Sequence, residues 1–366
     1  MSRALSPIRA VTLASLILLS ACGHGSNQAG SQSAPEAPKS EFNIGWSIYA
    51  GWMPWPYAQQ SGIVKKWADK YGIKINIVQV NDYVESINQY TAGKLDGVTA
   101  TTMDALTIPS AGGKDSSVVL IGDYSNGNDG VVLKNGKSMA DIKGRSVNLV
   151  QFSVSHYLLA RGLEEAGMTL ADVKTVNTGD ADIVGAFASP QVTAVVTWNP
   201  QLSEVKKAPG ATEVFDSSKI PDEILDTTIV SSATLKANPN LGKALAGIWY
   251  ETLAIMTKDD TQGRAARAIM AKDAGTTPDS FDAQLKTTFL YARPQDALAL
   301  AKSPTLVSVT DRVRHFSFSK GLFGPASPAM DSIGISFPGA KVLGDPANIK
   351  LRFDPSFMQM AADGKL

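Results

Sequence analysis

Apolar and polar positions alternate in two rhythms from about residue 41 onward. "IKINIVQV" alternates with a period of two and predicts a strand. "YAQQSGIVKKWADKYG" (Tyr57 to Gly72) carries Ile63, Trp67 and Tyr71 on one stripe and predicts a helix that Gly72 ends. Further strands are predicted at "FNIGWSI", "LDGVTAT" and "SSVVLIGDY", with helices between them. Strands that alternate with helices predict a parallel α/β sheet.

The same alternation restarts after Gly130. Strands are predicted at "GVVLKN", "RSVNLVQF", "VKTVNT" and "VTAVVTW", and a last strand at "EILDTTIVSS" (Glu223 to Ser232). Beyond it the pattern is helical to about Tyr291, and the rest of the chain mixes one helix with loops rich in glycine and proline. We therefore predict an α/β fold of two lobes, each a mainly parallel sheet flanked by helices. Lobe 1 comprises residues 41–127 plus 227–290, lobe 2 comprises 128–226, and 291–366 form a C-terminal extension packed on lobe 1.

The N-terminus has the features of a secretory signal. Arg3 and Arg9 precede an apolar run from Val11 to Leu19, which is too short to span a bilayer. "LSAC" then resembles the lipobox of bacterial lipoproteins, in which the cysteine is acylated and becomes the new N-terminus. Cys22 is the chain's one cysteine. We predict a signal peptide over 1–21, a lipid anchor at Cys22 and a flexible tether over 22–40, with an ordinary cleaved signal as the alternative.

Charge and motifs exclude several classes of function. The chain has a formal net charge of +0, and removal of residues 1–21 takes away two arginines and no acid, so no nucleic-acid partner is expected. The three histidines, His24, His156 and His315, are far apart, and no Cys/His cluster predicts a metal site. "GDYSNGNDG" lies between two predicted strands and predicts a turn and not a phosphate loop. No cofactor is expected.

One stretch is unusually aromatic. "SIYAGWMPWPYAQQSG" (Ser47 to Gly62) and the preceding Trp46 hold half of the chain's six tryptophans. Gly51, Pro54 and Pro56 disfavour a continuous helix or central strand here. The sequence therefore places large apolar side chains on the loop after the first strand.

The order of motifs resembles a known family. A lipobox is followed by "IGW" in the first strand, "GLEEAG" closing a helix of the second lobe, "AVVTWNP", a return strand and a helical tail. Over roughly residues 42 to 290 this resembles the substrate-binding proteins of ABC importers, in the branch for nitrate, taurine, alkanesulfonates and thiamine precursors. "YSNGNDG", "TTMDAL" and "NIKLRFDP" resemble members encoded beside urea carboxylases, with urea or guanidine as cargo.

The resemblance implies the two-lobe periplasmic-binding-protein fold (type II), in which ligand is held between the lobes. It also implies an ABC permease and its ATPase as partners, a monomer, and a location at the periplasmic face or cell surface. Ligands of open parallel sheets lie beyond the carboxyl ends of the strands. We therefore expect Tyr49, Trp52, Tyr83 and Trp198, all on strand-to-helix loops, to form flat walls of the cleft. For Trp52, packing against its neighbours is an equal alternative to lining the cleft. For Trp55, packing is the favoured interpretation.

The predicted cleft loops are acidic. They contain Asp82, Glu85, Asp104, Asp129, Asp180 and Asp182 but no lysine or arginine, with His156 as the one conceivable cation. We expect a small cation, guanidinium first, bound by some of Asp82, Asp104, Asp129 and Asp180. Two or three of the six acids are expected to be helix caps only. The alternatives are urea, a sulfonate, nitrate or taurine, and an enzyme like the thiamine-precursor synthases, with His156 in the active site.

Overall fold

The computed structural model describes residues 39–325 and 327–366. The predicted signal peptide, Cys22 and most of the tether lie outside these residues. The strands are β1 Glu41–Trp46, β2 Lys74–Gln79, β3 Gly97–Thr101, β4 Ser116–Ser125, β5 Asp129–Lys134, β6 Ser146–Leu149, β7 Lys174–Asn177, β8 Ala194–Trp198, β9 Ala211–Asp216, β10 Leu225–Ser231, β11 Thr288–Leu290, β12 Gly334–Phe337, β13 Lys341–Leu343 and β14 Ile349–Phe353.

The α-helices lie between and after these strands. They are α1 Pro54–Gln60, α2 Ile63–Lys70, α3 Tyr83–Thr91, α4 Thr102–Ala105, α5 Val154–Glu165, α6 Ile183–Ala188, α7 Gln201–Val205, α8 Ser232–Ala237, α9 Asn240–Met256, α10 Thr261–Asp273, α11 Pro278–Leu285, α12 Pro294–Ala301, α13 Pro304–Ser319 and α14 Ser356–Ala362. Within the described part of the chain, no helix has the length and apolar character that a membrane span requires.

The strands form two sheets. The first has nine strands in the order β13-β12-β14-β4-β10-β3-β1-β2, with β11 paired to β4, and the second has five in the order β7-β6-β8-β5-β9. The two-lobe α/β fold class is thus confirmed, but both sheets are mixed. The return strand β10 runs antiparallel to β3 and β4 in the first sheet. In the second sheet, β5 runs antiparallel to β8 and β9.

The sheets suggest where each lobe has its core. Strands β5 to β9 belong to the second sheet, and the strands before and after them belong to the first. We propose these sheets as the centres of the two lobes; the exact boundaries stay a prediction. The C-terminal extension adds β14 parallel to β4, beside β12 and β13. These three strands were not predicted, because they are short and lie among glycine and proline residues.

Helix α13 of the extension contacts both lobes. Its Leu306 and Val307 are buried in the core of the first sheet, whereas Val313 belongs to the core of the second. Phe316 packs against Tyr157 of α5, with ring centroids 5.0 Å apart. The extension therefore lies against more than the lobe whose sheet it extends.

The aromatic stretch is not a single loop. Residues Ala50–Trp52 form a 3-10 turn and α1 begins at Pro54, earlier than the predicted start at Tyr57. Proline is tolerated in the first turn of a helix, because the amide it lacks has no partner there. Gly62, with φ of +81°, separates α1 from α2. Trp55 packs as expected: it is buried on α1, 5.2 Å from the ring of Trp249.

Candidate ligand-binding site

Four aromatic side chains meet around one small cavity. The ring centroids of Tyr49 and Trp52 are 5.1 Å apart, those of Trp52 and Tyr83 are 5.6 Å apart, and those of Tyr83 and Trp198 are 5.7 Å apart. The cavity and its mouth contain about 280 Å³ of space not filled by atoms. Its lining residues are Tyr49, Trp52, Tyr83, Thr101, Asp129, Val154, Trp198, Ile224 and Asp226.

Both sheets contribute to this cavity. Tyr49 and Trp52 follow β1, and Tyr83 opens α3 after β2. Trp198 ends β8 and pairs across the second sheet with Asp129 at the start of β5. The carboxyl ends of strands from two sheets thus face one another, which is where ligands bind in open α/β folds. All four predicted aromatic residues are at the cavity, so Trp52 lines it and also packs on its neighbours.

Asp129 is the one predicted acid that lines the cavity. Its Oδ2 accepts a hydrogen bond from Ser125 Oγ at 2.5 Å, and its side chain is almost fully buried. Burial raises the pKa of Asp129 to about 7, the nearby Asp104 adds to the rise, and the bond from Ser125 opposes it. The carboxylate is therefore poorly compensated by its surroundings.

Asp104 lies one layer behind the cavity wall. Its Oδ2 accepts from the Tyr83 hydroxyl at 2.7 Å and from Thr101 Oγ1 at 2.8 Å. Burial raises its pKa to about 6, while these two hydroxyls and the backbone N–H of Val154 lower it. Thr101, and not Asp104, caps α4, since its hydroxyl accepts from the Asp104 backbone N–H. Asp104 positions the phenol of Tyr83.

Two acids that were not predicted complete the site. Asp123 on β4 and Asp226 on β10 are directly opposite each other in the antiparallel ladder, and both are buried. Asp123 Oδ1 accepts from the Tyr49 hydroxyl at 2.9 Å, and Asp226 lines the cavity. Burial raises the pKa of Asp123 to about 7 and that of Asp226 well above its usual range.

A β-bulge brings this pair together. Thr227 pairs with Ile121 and Asp226 with Asp123, so Gly122 is the extra residue of β4. Such bulges redirect side chains near functional sites. The two acids were not predicted, because they lie inside strands and not on strand-to-helix loops. A single aspartate inside an otherwise apolar strand, as in "SSVVLIGDY" and "EILDTTIVSS", was the signal that could have found them.

Asp82 and Asp180 lie outside this cavity. Asp82 is exposed and caps α3 by accepting from the Glu85 backbone N–H at 2.8 Å. Asp180 is buried in an adjacent groove, where burial, then Asp82, raises its pKa to about 6 and the Tyr83 backbone N–H lowers it. The predicted set of four ligand acids therefore separates into Asp129 at the cavity, Asp104 behind it, and these two elsewhere.

The charged groups that line the cavity are all acidic: no lysine, arginine or histidine is among the described residues around it. His156 is buried away from the lining; burial lowers its pKa to about 4, and its Nδ1 accepts from the Phe152 backbone N–H at 3.3 Å. It is neutral, and among the described residues no nucleophilic side chain is hydrogen-bonded to it. Within residues 39–325 and 327–366, no group of three His, Cys, Asp or Glu side chains could hold a metal ion.

The chain is similar to proteins named for binding. The family model described as "NMT1/THI5 like" matches residues 58–260, more than half of the chain. A Brucella abortus (strain 2308) protein, provisionally named a binding protein, is 30% identical over 162 residues, covering 43% of this chain and 50% of that protein. An Escherichia coli (strain K12) protein, provisionally named an aliphatic sulfonates-binding protein, is 31% identical over 143 residues, covering 38% and 42%.

The matched stretch thus spans about half the length of these curated relatives. Among solved structures, the alkanesulfonate-binding protein SsuA of Xanthomonas axonopodis pv. citri, bound to MOPS, superposes with a TM-score of 0.67. Its sequence identity is 17%, and the match covers 80% of this chain and 96% of that one. At this identity the likeness shows the fold alone. The names agree with the expectation of a binding protein and not an enzyme.

Proposed function

From the premise that this chain belongs to the NMT1/THI5-like family, we propose that it is the extracytoplasmic solute-binding component of an ABC importer. Its cargo in this proposal is a small, nitrogen-rich cation, guanidinium first. The two lobes close on the ligand, and the closed form delivers it to a membrane permease driven by an ATPase. Contacts from both lobes stabilise the closed form because only that form makes them all.

The observation that carries the cation proposal is the charge of the cavity. Asp129 and Asp226 line it, Asp123 and Asp104 lie directly behind, and the described lining includes no basic side chain. Buried carboxylates without a counter-charge are costly, which is why the pKa of each is raised. A bound cation supplies the missing charge.

The aromatic walls suit a planar cation. Four aromatic side chains, Tyr49, Trp52, Tyr83 and Trp198, line the cavity. Ring faces attract cations, and the attraction is strongest in sites from which water is excluded. Guanidinium is planar and permanently charged, and its N–H groups form paired hydrogen bonds with a carboxylate.

A sulfonate is the alternative that the relatives' names suggest. The N-terminal end of α5, at Val154, also lines the cavity, and helix N-termini bind anions. However, the Val154 backbone N–H already bonds to the Asp104 carboxylate and is not free for an anion. Urea, being neutral, would leave the buried carboxylates uncompensated unless they stay protonated. Both fit the charges less well than a cation.

Calorimetric titration with guanidinium, urea, taurine and nitrate tests the proposal, with sodium chloride at equal ionic strength as the control. Guanidinium should bind, and Asp129→Asn should weaken its binding by about 10- to 100-fold, the value of a hydrogen bond to a charged group. Asp82→Asn, at an exposed cap, is the matched control and should bind as the wild type. Binding of taurine or nitrate without guanidinium would contradict the cation proposal.

We also propose that the protein is held at the membrane by lipid on Cys22, as a monomer on the periplasmic face or cell surface. The support is the sequence pattern of an apolar run ending in "LSAC". Detergent-phase partitioning of the full chain and its Cys22→Ser variant tests the anchor. The wild type should enter the detergent phase and the variant should not; equal partitioning would contradict the anchor.

A further inference from the structure

We propose that Asp123 and Asp226 form an acid pair that shares a proton in the free protein and exchanges it for the cargo cation. Because of this exchange, the site selects a positively charged ligand over a neutral one. This inference rests on the proposed function of the same cavity and adds to it the residues that discriminate a cation from a neutral ligand.

The geometry begins with the ladder between β4 and β10. Asp123 and Asp226 are cross-strand partners, and side chains directly opposite in an antiparallel pair have Cβ atoms about 4.5–5.5 Å apart. Their exposed fractions are 0% and 3%. Two buried carboxylates this close cannot both be ionised unless a positive charge is present.

The hydrogen bonds around the pair leave one position open. Asp123 Oδ1 accepts from Tyr49, whereas Asp123 Oδ2 is fully buried and has no donor among its neighbours apart from a protonated Asp226. Gly51 permits this arrangement, since a Cβ there would lie 2.5 Å from Asp123 Oδ2. The open carboxyl oxygen and the cavity-lining Asp226 therefore belong to one unit.

No neighbouring group can neutralise the pair. The ionisable groups that act on it are Tyr49 from the turn after β1, Asp129 from β5 and Tyr291 after β11, and all of these are acids. Asp104 raises the pKa of Asp129 and does not contribute directly to the pKa of either member of the pair. Among the residues that the structure describes, no lysine, arginine or histidine contributes to the pKa of either member. A proton is the one positive charge available before cargo arrives.

The exchange balances in charge. The free pair with one proton has a charge of about −1. A monovalent cation enters, the proton leaves to solvent, and the sum of two carboxylates and one cation is again about −1. Neutral urea cannot make this exchange, because release of the proton would leave two adjacent buried carboxylates. The number of protons released on binding therefore distinguishes a cation from a neutral ligand of the same shape.

Calorimetry of the full chain with guanidinium in phosphate and in Tris at neutral pH measures this count. We expect about one proton released per guanidinium, and affinity that rises about tenfold per pH unit across neutral pH. Asp226→Asn should bind more weakly, release fewer protons than the wild type and lose most of the pH dependence that the pair contributes. Asp82→Asn should keep both. Near-ultraviolet circular dichroism checks that each variant is folded.

The outcomes separate the two proposals. Guanidinium binding with no proton release and a pH-independent Kd would overturn the acid pair but leave the proposed function intact. Absence of guanidinium binding would overturn the proposed function. The shared proton is then tested in the free protein alone, by the infrared band of a protonated carboxyl group in wild type minus Asp226→Asn. A missing band in that difference spectrum would overturn the acid pair as well.

Discussion

The hydroxyl of Tyr83 donates a hydrogen bond to Oδ2 of Asp104 at 2.7 Å, and this bond joins the cavity wall to the buried carboxylate behind it. Tyr83 also accepts from the Thr101 backbone N–H at 3.0 Å, so its phenol is fixed at both its donor and its acceptor. The ring that lines the cavity is therefore positioned by the Asp104 carboxylate behind the wall and by the Thr101 backbone.

Removal of the Tyr83 hydroxyl in Tyr83→Phe should destabilise the protein more than removal of a buried tyrosine hydroxyl that bonds to a neutral group. Asp104 would lose a donor while remaining buried, at a cost of about 1–3 kcal/mol. Tyr90→Phe is the control, because Tyr90 is equally buried but bonds to the neutral Ser116 at 2.8 Å. Urea unfolding measures both. The excess cost in Tyr83→Phe should shrink below about pH 6, where Asp104 is protonated; equal costs at neutral pH would contradict it.

Trp52→Ala should weaken guanidinium binding by about 1–2 kcal/mol, the value of a cation–π contact in a desolvated site. The same change should remove most of the ligand-induced change in tryptophan fluorescence. Trp67→Ala is the control, since Trp67 lies on α2 and bonds to Glu251, away from the cavity. Wild-type affinity in Trp52→Ala would mean that this ring only packs.

The ligand-free protein should lose stability as pH rises toward about 7, and the loss that Asp129 causes should level off above that pH. The pKa of Asp129 is raised to about 7 in the fold from a usual value of 3.8, so between these values the folded state binds more protons than the unfolded state. Between these pH values, the free energy of unfolding of the protein falls by about 1.4 kcal/mol per pH unit for each carboxyl group whose pKa is raised in this way. Urea unfolding at several pH values between about 5.5 and 8 measures the slope.

Asp129→Asn removes one of these groups and should flatten that slope. A saturating concentration of guanidinium should flatten the slope in the wild type as well, because the cation stabilises the ionised carboxylates. A slope unchanged in Asp129→Asn would show that this residue does not contribute to the pH dependence.

Gly51→Ala should abolish or strongly weaken ligand binding. A methyl group at this position would lie 2.5 Å from both Asp123 Oδ2 and Tyr49 Cε1, so the turn or the acid pair must shift. Gly185→Ala is the matched control: Gly185 lies in α6, and a Cβ there meets no atom within 4 Å. That control should be neutral or slightly stabilising, since alanine favours helix. Titration of both variants with guanidinium decides the point.

Glu223→Gln should destabilise the contact between α13 and the second lobe. Glu223 accepts from Tyr157 at 2.5 Å and from Arg161 Nε at 2.9 Å, and Arg312 of α13 also pairs with it. Its side chain is 3% exposed, but Arg312 is half exposed, so we expect a cost of about 1–3 kcal/mol. Asp296→Asn, in an exposed pair with Arg293, should change stability little. Equal effects in urea unfolding would contradict the role of Glu223.

The sequence by itself determined the alternation of strands and helices and the restart of that alternation after Gly130. It also predicted that Tyr49, Trp52, Tyr83 and Trp198 lie on strand-to-helix loops, although Tyr83 is the first residue of α3 and Trp198 the last of β8. These features depend on local periodicity and on turn residues, which act over a few positions and can be recognised in one segment. The mixture of parallel and antiparallel strand pairs could not be predicted from local patterns, because the relative direction of two strands depends on which strands become neighbours in the sheet.

Tertiary structure alone decided which acids belong to the site. Asp82, Asp104 and Asp180 all lie near helix starts, yet they became a cap, a support for Tyr83 and part of another groove. Asp123 and Asp226 are about a hundred residues apart and became opposite partners only through strand pairing and the bulge at Gly122. Burial and neighbouring groups set the pKa of a carboxyl group, and the tertiary structure alone defines both.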